Sequence, residues 1–205
     1  MEFSLSEKVK ILRVKHQIQD FVNAMEQMDW YQRTIKNSDL ILTGGITVSL
    51  LHDENPKDWD FYFVDPQDCY DFARLVQLEK KYIKDVQEHY KEILGQDGKM
   101  ITANSITMNN DASFVTMITG TPEEVREHFD YVHCMPYYSL KEDKFYISYE
   151  QYVACMDKSL MFNNESAYKS YRHSKFIDRG FTAVYNVEKM HNKYGTTTVY
   201  TGPNS

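Results

Sequence analysis

The chain has 205 residues and a formal charge of −7, and 42% of its residues are hydrophobic and 14% aromatic; this is enough apolar material for a folded core and far from the aromatic-poor composition of a disordered chain. The acidic balance excludes a surface that binds nucleic acid along its whole length, because such surfaces displace counterions with basic stripes, so any polyanion contact is local. Cys69, Cys134 and Cys155 lie far apart with no pair at zinc-ligand spacing, and residues 1–15 are charged, with no apolar segment of signal or membrane-span length; the expectation is a cytoplasmic protein with free thiols and no membrane partner.

In chain order, Val9, Leu12, Val14, Ile18, Phe21, Val22, Met25 and Met28 recur at helical spacing between charged residues, which predicts an amphipathic helix over residues 6–35. Leu40-Ile41-Leu42 is a short apolar run followed by Gly44-Gly45, a buried strand and its turn, and residues 46–51 read as a short helix. After a polar loop, residues 58–64 alternate polar side chains with Trp59, Phe61 and Phe63, the period of a half-buried strand. Asp65-Pro66 opens a second helix, Asp as N-cap and Pro in the first turn, whose apolar face runs from Phe72 through Val86 and Tyr90 to Leu94. Residues 100–102, 105–108 and 113–118 read as strands of a small antiparallel element separated by Asn- and Asp-rich turns. Thr121-Pro122-Glu123-Glu124 is a capping box for a brief helix, expected to lead into a strand over residues 129–132; a strand at 144–148 and helices at 149–158 and 165–178 follow, the last ended by Gly180.

Asp58 and Asp60 stand two residues apart on the second strand, so both project from one face while Trp59 turns to the other. Two carboxylates this close repel unless a cation lies between them, and an all-oxygen donor set suits Mg²⁺. Asp-x-Asp alone is more often a solvent-facing pair. The Gly44-Gly45 turn changes that balance, because glycines between a strand and a helix let backbone N–H groups approach phosphates.

Together, Leu42-Thr43-Gly44-Gly45, the short helix and Lys57-Asp58-Trp59-Asp60-Phe61 resemble the signature of polymerase-beta-like nucleotidyltransferases, with the local likeness over residues 40–64 closest to tRNA CCA-adding and poly(A)-adding enzymes. The resemblance implies two Mg²⁺ ions on Asp58 and Asp60, a nucleoside triphosphate received by Thr43, Gly44 and Gly45, and a third metal-binding carboxylate on a neighbouring strand. Asp130, in the Phe129-Asp130-Tyr131-Val132 run, is the candidate for that third acid; Asp111, in an Asn-Asn-Asp turn, fits less well. The sequence departs from CCA-adding enzymes where Val48-Ser49 stands in place of an Arg-Asp pair and where base-reading Arg-Arg-x-x-Asp and Glu-Asp-x-x-Arg elements have no equivalent, so CCA addition itself is not implied. Residues 121–138 and 172–181 look more like small viral, including phage, nucleotidyltransferase-like proteins.

Lys169, Arg172, Lys175 and Arg179 recur at helical steps and form a basic stripe that either receives triphosphate or acceptor backbone or is a solvated face near a helix C-terminus. Lys57 either binds a phosphate or neutralises the acids beside it. His128, His133 and Cys134 are discounted as a zinc site because neighbours on a strand point to opposite faces, and the Tyr137-Tyr138 and 149–152 segments suit base stacking, core packing or a partner interface. The expected fold is α/β (α+β): a small mixed sheet flanked by helices in a nucleotidyltransferase-like core of residues 1–140, then a mainly helical extension of residues 141–205. The expected activity is Mg²⁺-dependent transfer of a nucleoside monophosphate to a hydroxyl of an RNA or other acceptor. Two alternatives stand beside it: transfer to a protein or small molecule, and a catalytically degenerate fold acting as a binding or inhibitory protein in virus–host conflict.

Overall fold

The computed structural model describes residues 2–85, 100–102 and 104–183. Helix α1, Leu5–Glu26, starts at a capping box in which Ser4 and Glu7 satisfy each other's backbone N–H groups, and it buries Ile11, Val14, Ile18, Val22 and Met25. The single helix expected to residue 35 is two. The Gln32 side chain bonds the Glu26 carbonyl at the break, and α2, Asp29–Thr34, turns Trp30 and Tyr31 inward.

Six strands form the main sheet, β1 Leu40–Thr43, β2 Trp59–Phe63, β3 Ser105–Thr107, β4 Ala112–Val115, β5 Tyr137–Ser139 and β6 Lys144–Tyr146, in the order β3-β4-β2-β1-β5-β6. The β2–β4 pairing is parallel and the other four are antiparallel, which makes the sheet mixed as the sequence indicates. Helix α3, Gly45–Leu51, joins β1 to β2, and α4, Pro66–Leu78, follows β2 with Asp65 as its side-chain cap. α4 stops at Leu78 instead of running to residue 94; Ile83 has left the helix and bridges Met108, and the expected helical residues 86–94 lie outside the described residues.

The period-two pattern of β2 divides the molecule. Trp59, Phe61 and Phe63 face α1 and α4: Trp59 stacks on Phe21 at 3.8 Å, and Phe61, Phe63, Phe72 and Phe114 form a fully buried cluster with ring centroids 4.6–5.9 Å apart. Asp60 and Tyr62 face the other way, where Tyr62 meets Phe129.

That second face is built by the rest of the chain. Helix α5, Pro122–Glu127, has the expected Thr121/Glu124 capping box. Residues 129–132, however, are not a strand of the sheet. Asn163 donates through its backbone N–H to the Asp130 carbonyl at 2.8 Å and through its side chain to the Phe129 carbonyl at 2.9 Å, so local bonds occupy these carbonyls, and residues 132–134 close into a 3₁₀ turn. The β5–β6 hairpin carries the sheet across the residue-140 boundary, and α6, Tyr149–Met156, is capped by Ser148 and Gln151. Helix α7 covers Ser170–Asp178; Glu165–Ala167 is a separate 3₁₀ turn, and Gly180 ends the helix at φ +82°. A two-stranded parallel element, β7 Ser159–Leu160 and β8 Thr182–Ala183, flanks α7. Among the described residues no helix is long and apolar enough to cross a membrane.

The aromatic cluster under β2 sets the stability of this layer. Phe114→Ala is expected to cost about 3–5 kcal/mol through the lost transfer energy and the cavity left behind, read as a lower midpoint of urea unfolding with an unchanged slope.

Candidate active-site cleft

The site begins with a backbone requirement. Between β1 and α3 the chain passes through Gly44 at φ +91° and ψ −145°, a conformation that only glycine adopts without strain. Gly44 is fixed there by its N–H bond to the Cys134 carbonyl at 3.1 Å, and Thr47 returns its hydroxyl to the Gly44 carbonyl at 2.9 Å. A methyl group added at Gly44 would lie 4.0 Å from Asp60 Oδ2, so the turn and the carboxylate are neighbours in space. Gly45 opens α3 with no atom within 4 Å of where its Cβ would be, facing open space.

Asp58 is exposed just ahead of β2, and Asp60 is partly buried within it. Burial, followed by the charge of Asp58, pushes Asp60 up to about 6; Lys175, Arg172 and the Ser113 hydroxyl pull in the opposite direction. Ser113 is there because the parallel ladder sets it directly opposite Asp60 on β4. The strand neighbour of the acid pair is therefore a hydroxyl.

Across from the acids lies α7. Between them is a cleft of about 780 Å³ whose walls carry Gly45, Lys57, Asp58 and Asp60 on one side and Tyr171, Lys175 and Asp178 on the other. Gly45, Lys57 and the two acids are the sequence candidates that the fold brings together with Lys175 and Arg179 around one space.

Other candidates are placed differently. Thr43 is fully buried, and its hydroxyl donates to the Pro136 carbonyl at 2.8 Å, so it braces the sheet against the 132–136 turn and does not face the cleft. Asp130 stands outside the sheet, 2% exposed, and Arg172 takes both its oxygens, Nε to Oδ2 at 2.8 Å and Nη2 to Oδ1 at 3.0 Å. Asp58, Asp60 and Asp130 do not form a three-carboxylate cluster, and no group of three potential metal-binding side chains exists among the described residues. The physical reason is the turn at residues 132–134: without a strand at 129–132, Asp130 cannot stand beside Asp60 in the sheet.

The basic stripe is likewise divided. Lys169 is the exposed N-cap of α7, Arg172 turns to Asp130, and Arg179 pairs with Glu54 at 2.6 Å and reaches Ser49 at 3.5 Å, leaving Lys175 facing the acids. Arg172 remains charged: burial opposes this, but its hydrogen bonds to Asp130 outweigh the penalty and raise its pKa. His133 is enclosed by Tyr131, Phe176 and Phe181 and pushed down to about 3 by burial, so it is a neutral core residue. Tyr137 stacks on Tyr146 at 4.6 Å under Arg126, while Tyr149 and Tyr152 pack on Phe3; these tyrosines pack within the protein. Sequence reasoning missed Ser113, Tyr171 and Asp178. Asp178 had a signal in its spacing of three from Lys175; Ser113 had none, since only the β2–β4 register identifies it.

Comparison with known proteins gives two findings. The family model described as "Gabija anti-defense 2 family protein" matches residues 12–158. Among solved structures, the chain is similar to the Thermotoga maritima CCA-adding enzyme complexed with tRNA (TM-score 0.54, 14% identity, 91% of this chain and 44% of that one). It is also similar to the Bacillus stearothermophilus CCA-adding enzyme in complex with CTP (0.53, 12%, 83% and 42%) and to a tRNA nucleotidyltransferase with a primer tRNA and an incoming ATP analog (0.51, 11%, 82% and 49%). At these identities the likeness is one of fold, and the chain spans less than half the length of each of these enzymes. No curated protein matches the sequence.

Two measurements check the electrostatics. Arg172→Ala leaves Asp130 buried without its partner and is expected to destabilise the protein by about 2–3 kcal/mol, less than for a fully enclosed pair because the Arg172 side chain is 35% exposed. Joint replacement, Asp130→Leu with Arg172→Met, should recover most of that loss. Asp60 is a carboxyl raised in the folded state, so the folded chain holds a proton that the unfolded chain has released; stability therefore falls as pH rises from the ordinary 3.8 through about 6. In metal-free buffer, Asp60→Asn should be the more stable protein by about 1–2 kcal/mol near pH 8 and indistinguishable from the parent near pH 3.

Proposed function

From the premise that the chain belongs to the Gabija anti-defense 2 family and has a nucleotidyltransferase fold, we propose that its cleft binds a Mg²⁺–nucleoside triphosphate and transfers the nucleoside monophosphate to an acceptor hydroxyl. The observation that carries this reading is the meeting of Asp60 with the Gly44–Gly45 turn at the head of α3, Asp58 beside it and Lys175 opposite.

The donor chemistry fits the metal. Two carboxylates whose mutual repulsion helps raise Asp60 to about 6 form a site in which a divalent cation would remove an existing cost. Asp58 and Asp60 would hold Mg²⁺, which when bound would neutralise phosphate charge and orient the attacking oxygen and the leaving pyrophosphate. The rest falls to the chain's own groups. Gly45, at the head of α3, would offer its backbone N–H to the phosphates. Lys57 and Lys175 supply positive charge on either side of the acids. Asp130 acts at one remove, as the positioning residue for Arg172. In the reaction the acceptor oxygen bonds to the α-phosphorus, the bond from that phosphorus to the pyrophosphate oxygen breaks, and the hydroxyl proton leaves to solvent.

A second reading is favoured by one feature. Asp60 has Ser113, not a third acid, as its neighbour on β4, and this suits a protein that binds nucleotide without transferring it and acts as a binding partner in conflict with a host defence.

The experiment supplies the full chain with Mg²⁺ and each α-labelled nucleoside triphosphate in host lysate, and follows pyrophosphate release and the labelled product before and after nuclease or protease treatment. Transfer is expected, with a loss of at least about 100-fold in Asp60→Ala and Asp58→Ala. Undiminished release by Asp60→Ala would overturn the mechanism. Tight nucleotide binding with no pyrophosphate release would select the second reading.

A further inference from the structure

Among the cations that line the cleft, Lys57 and Lys175 are exposed, whereas the Arg179 side chain is only 20% exposed. Arg179 caps the end of α7 and turns its guanidinium across the cleft to α3 and the loop after it, where Nη2 meets Glu54 Oε2 at 2.6 Å and Ser49 Oγ at 3.5 Å. Its place relative to the acids follows from the two helices. Ser49 lies four residues beyond Gly45 on α3, about 6 Å at helical rise, and Arg179 lies one turn beyond Lys175, which acts on Asp60. From the acid pair, both walls therefore lead past Gly45 and Lys175 to Arg179.

The Arg179–Glu54 pair is not what holds these walls. The loop after α3 is closed by the Glu54 backbone N–H, which donates to the Ser49 carbonyl at 2.9 Å; the His52 ring meets the Cys155 carbonyl at 3.0 Å, and Asp53 pairs with Lys10 at 3.6 Å. On the other side, α7 is fixed by Arg172 on Asp130 and by Phe176 in the aromatic cluster, and Lys158 holds its end by donating to the Arg179 carbonyl at 2.7 Å. The Glu54 side chain is 44% exposed, so the pair adds little to stability and breaks at small cost. A guanidinium largely withdrawn from water nevertheless needs an anion, and Glu54 is that anion here. Both bonds use Nη2, so neither engages Nε or Nη1, the remaining donors of a fork whose shape matches phosphate.

We infer that Arg179 receives the terminal phosphates of the bound triphosphate, and that Glu54 is the carboxylate they displace, a stand-in for phosphate built into the cleft wall. This inference rests on the nucleotide-binding reading of the cleft and adds to it the group that holds the leaving pyrophosphate. With the α-phosphate at Asp58 and Asp60, the β- and γ-phosphates run along α3, past the Gly45 N–H and Lys175, to Arg179. Carboxylate and phosphate offer a guanidinium the same pair of acceptor oxygens, and phosphate carries the greater charge, so the exchange favours the ligand. A nucleoside monophosphate brings nothing that reaches Arg179, and Glu54 keeps its place.

The test is equilibrium binding of ATP, GTP, CTP and UTP with Mg²⁺, each compared with its monophosphate, to the full chain and to Glu54→Gln and Arg179→Gln, with thermal melting as a check on folding. A Mg²⁺-bound triphosphate and a free monophosphate carry about the same net charge, so a general change in the field of the cleft moves both alike. Glu54→Gln is expected to bind the triphosphates about 3-fold tighter, the scale on which a partly exposed ion pair competes, with monophosphate binding and the melting temperature little changed. Arg179→Gln should bind the triphosphates about 10-fold or more weaker, the worth of a hydrogen bond to a charged group, and again spare the monophosphates. Arg179→Lys, which keeps the charge but not the fork, should fall between. Unchanged or weaker triphosphate binding by Glu54→Gln makes the pair a tether and overturns the displacement, an outcome that decides even where Arg179→Gln does not fold. Equal shifts for triphosphate and monophosphate remove Arg179 from the terminal phosphates. If the parent chain binds no nucleotide, the cleft reading itself falls, and this inference with it.

Discussion

Asp130 is buried, and the group that pairs with it arrives 42 residues later in the chain, on α7. A buried carboxylate without a partner is costly enough to reorganise whatever surrounds it, so the two parallel bonds from Arg172 fix where α7 lies. Phe176, one turn on, enters the aromatic cluster around Tyr131, His133 and Phe181 and sets the rotation of the helix. With position and rotation both set, Tyr171, Lys175 and Asp178 line the cleft. Without α7, Asp58 and Asp60 would stand on an open sheet face, and the cleft would have one wall.

The cleft is electrostatically unfinished. Asp60 is partly buried next to a second carboxylate, and Lys175, Arg172 and a serine hydroxyl only partly offset the repulsion. Such an arrangement lowers the stability of the empty protein near neutral pH and is relieved by a cation or by a ligand that brings one. Perturbed groups of this kind cluster where proteins bind and react, because the strain is released by the ligand.

Family and fold bear on different questions. The fold, shared with enzymes of about twice this chain's length, accounts for the strand, glycine turn, helix and strand that hold the acids. Membership in an anti-defense family does not by itself assign a use to the cleft, and a fold does not carry an activity with it. The residue opposite Asp60 on β4 bears on both, because the serine there offers a hydroxyl and not a metal-binding carboxylate.

Local pattern was sufficient for much of this. The alternation around Asp58 and Asp60, the Gly44–Gly45 turn and the capping box at Thr121 all depend on residues within a few positions of one another, so the strands, the short helix and the facing of the acids were legible in the order of the residues. So was the mixed sheet with flanking helices. What the sequence could not decide depends on contacts between distant segments. Phe129-Asp130-Tyr131-Val132 alternates like a strand, yet Asn163 claims its carbonyls and turns it out of the sheet. Lys169, Arg172, Lys175 and Arg179 look like one basic face, but Asp130 and Glu54 take two of its members from elsewhere in the chain. The pairing of Asp60 with Ser113 is a matter of parallel register, which no local signal encodes. Sequence alone therefore determined where the acid pair is and which way it faces, because side-chain period is a local property of the backbone; tertiary structure decided which charges surround it, because a buried charge is compensated by whichever partner the fold brings within reach.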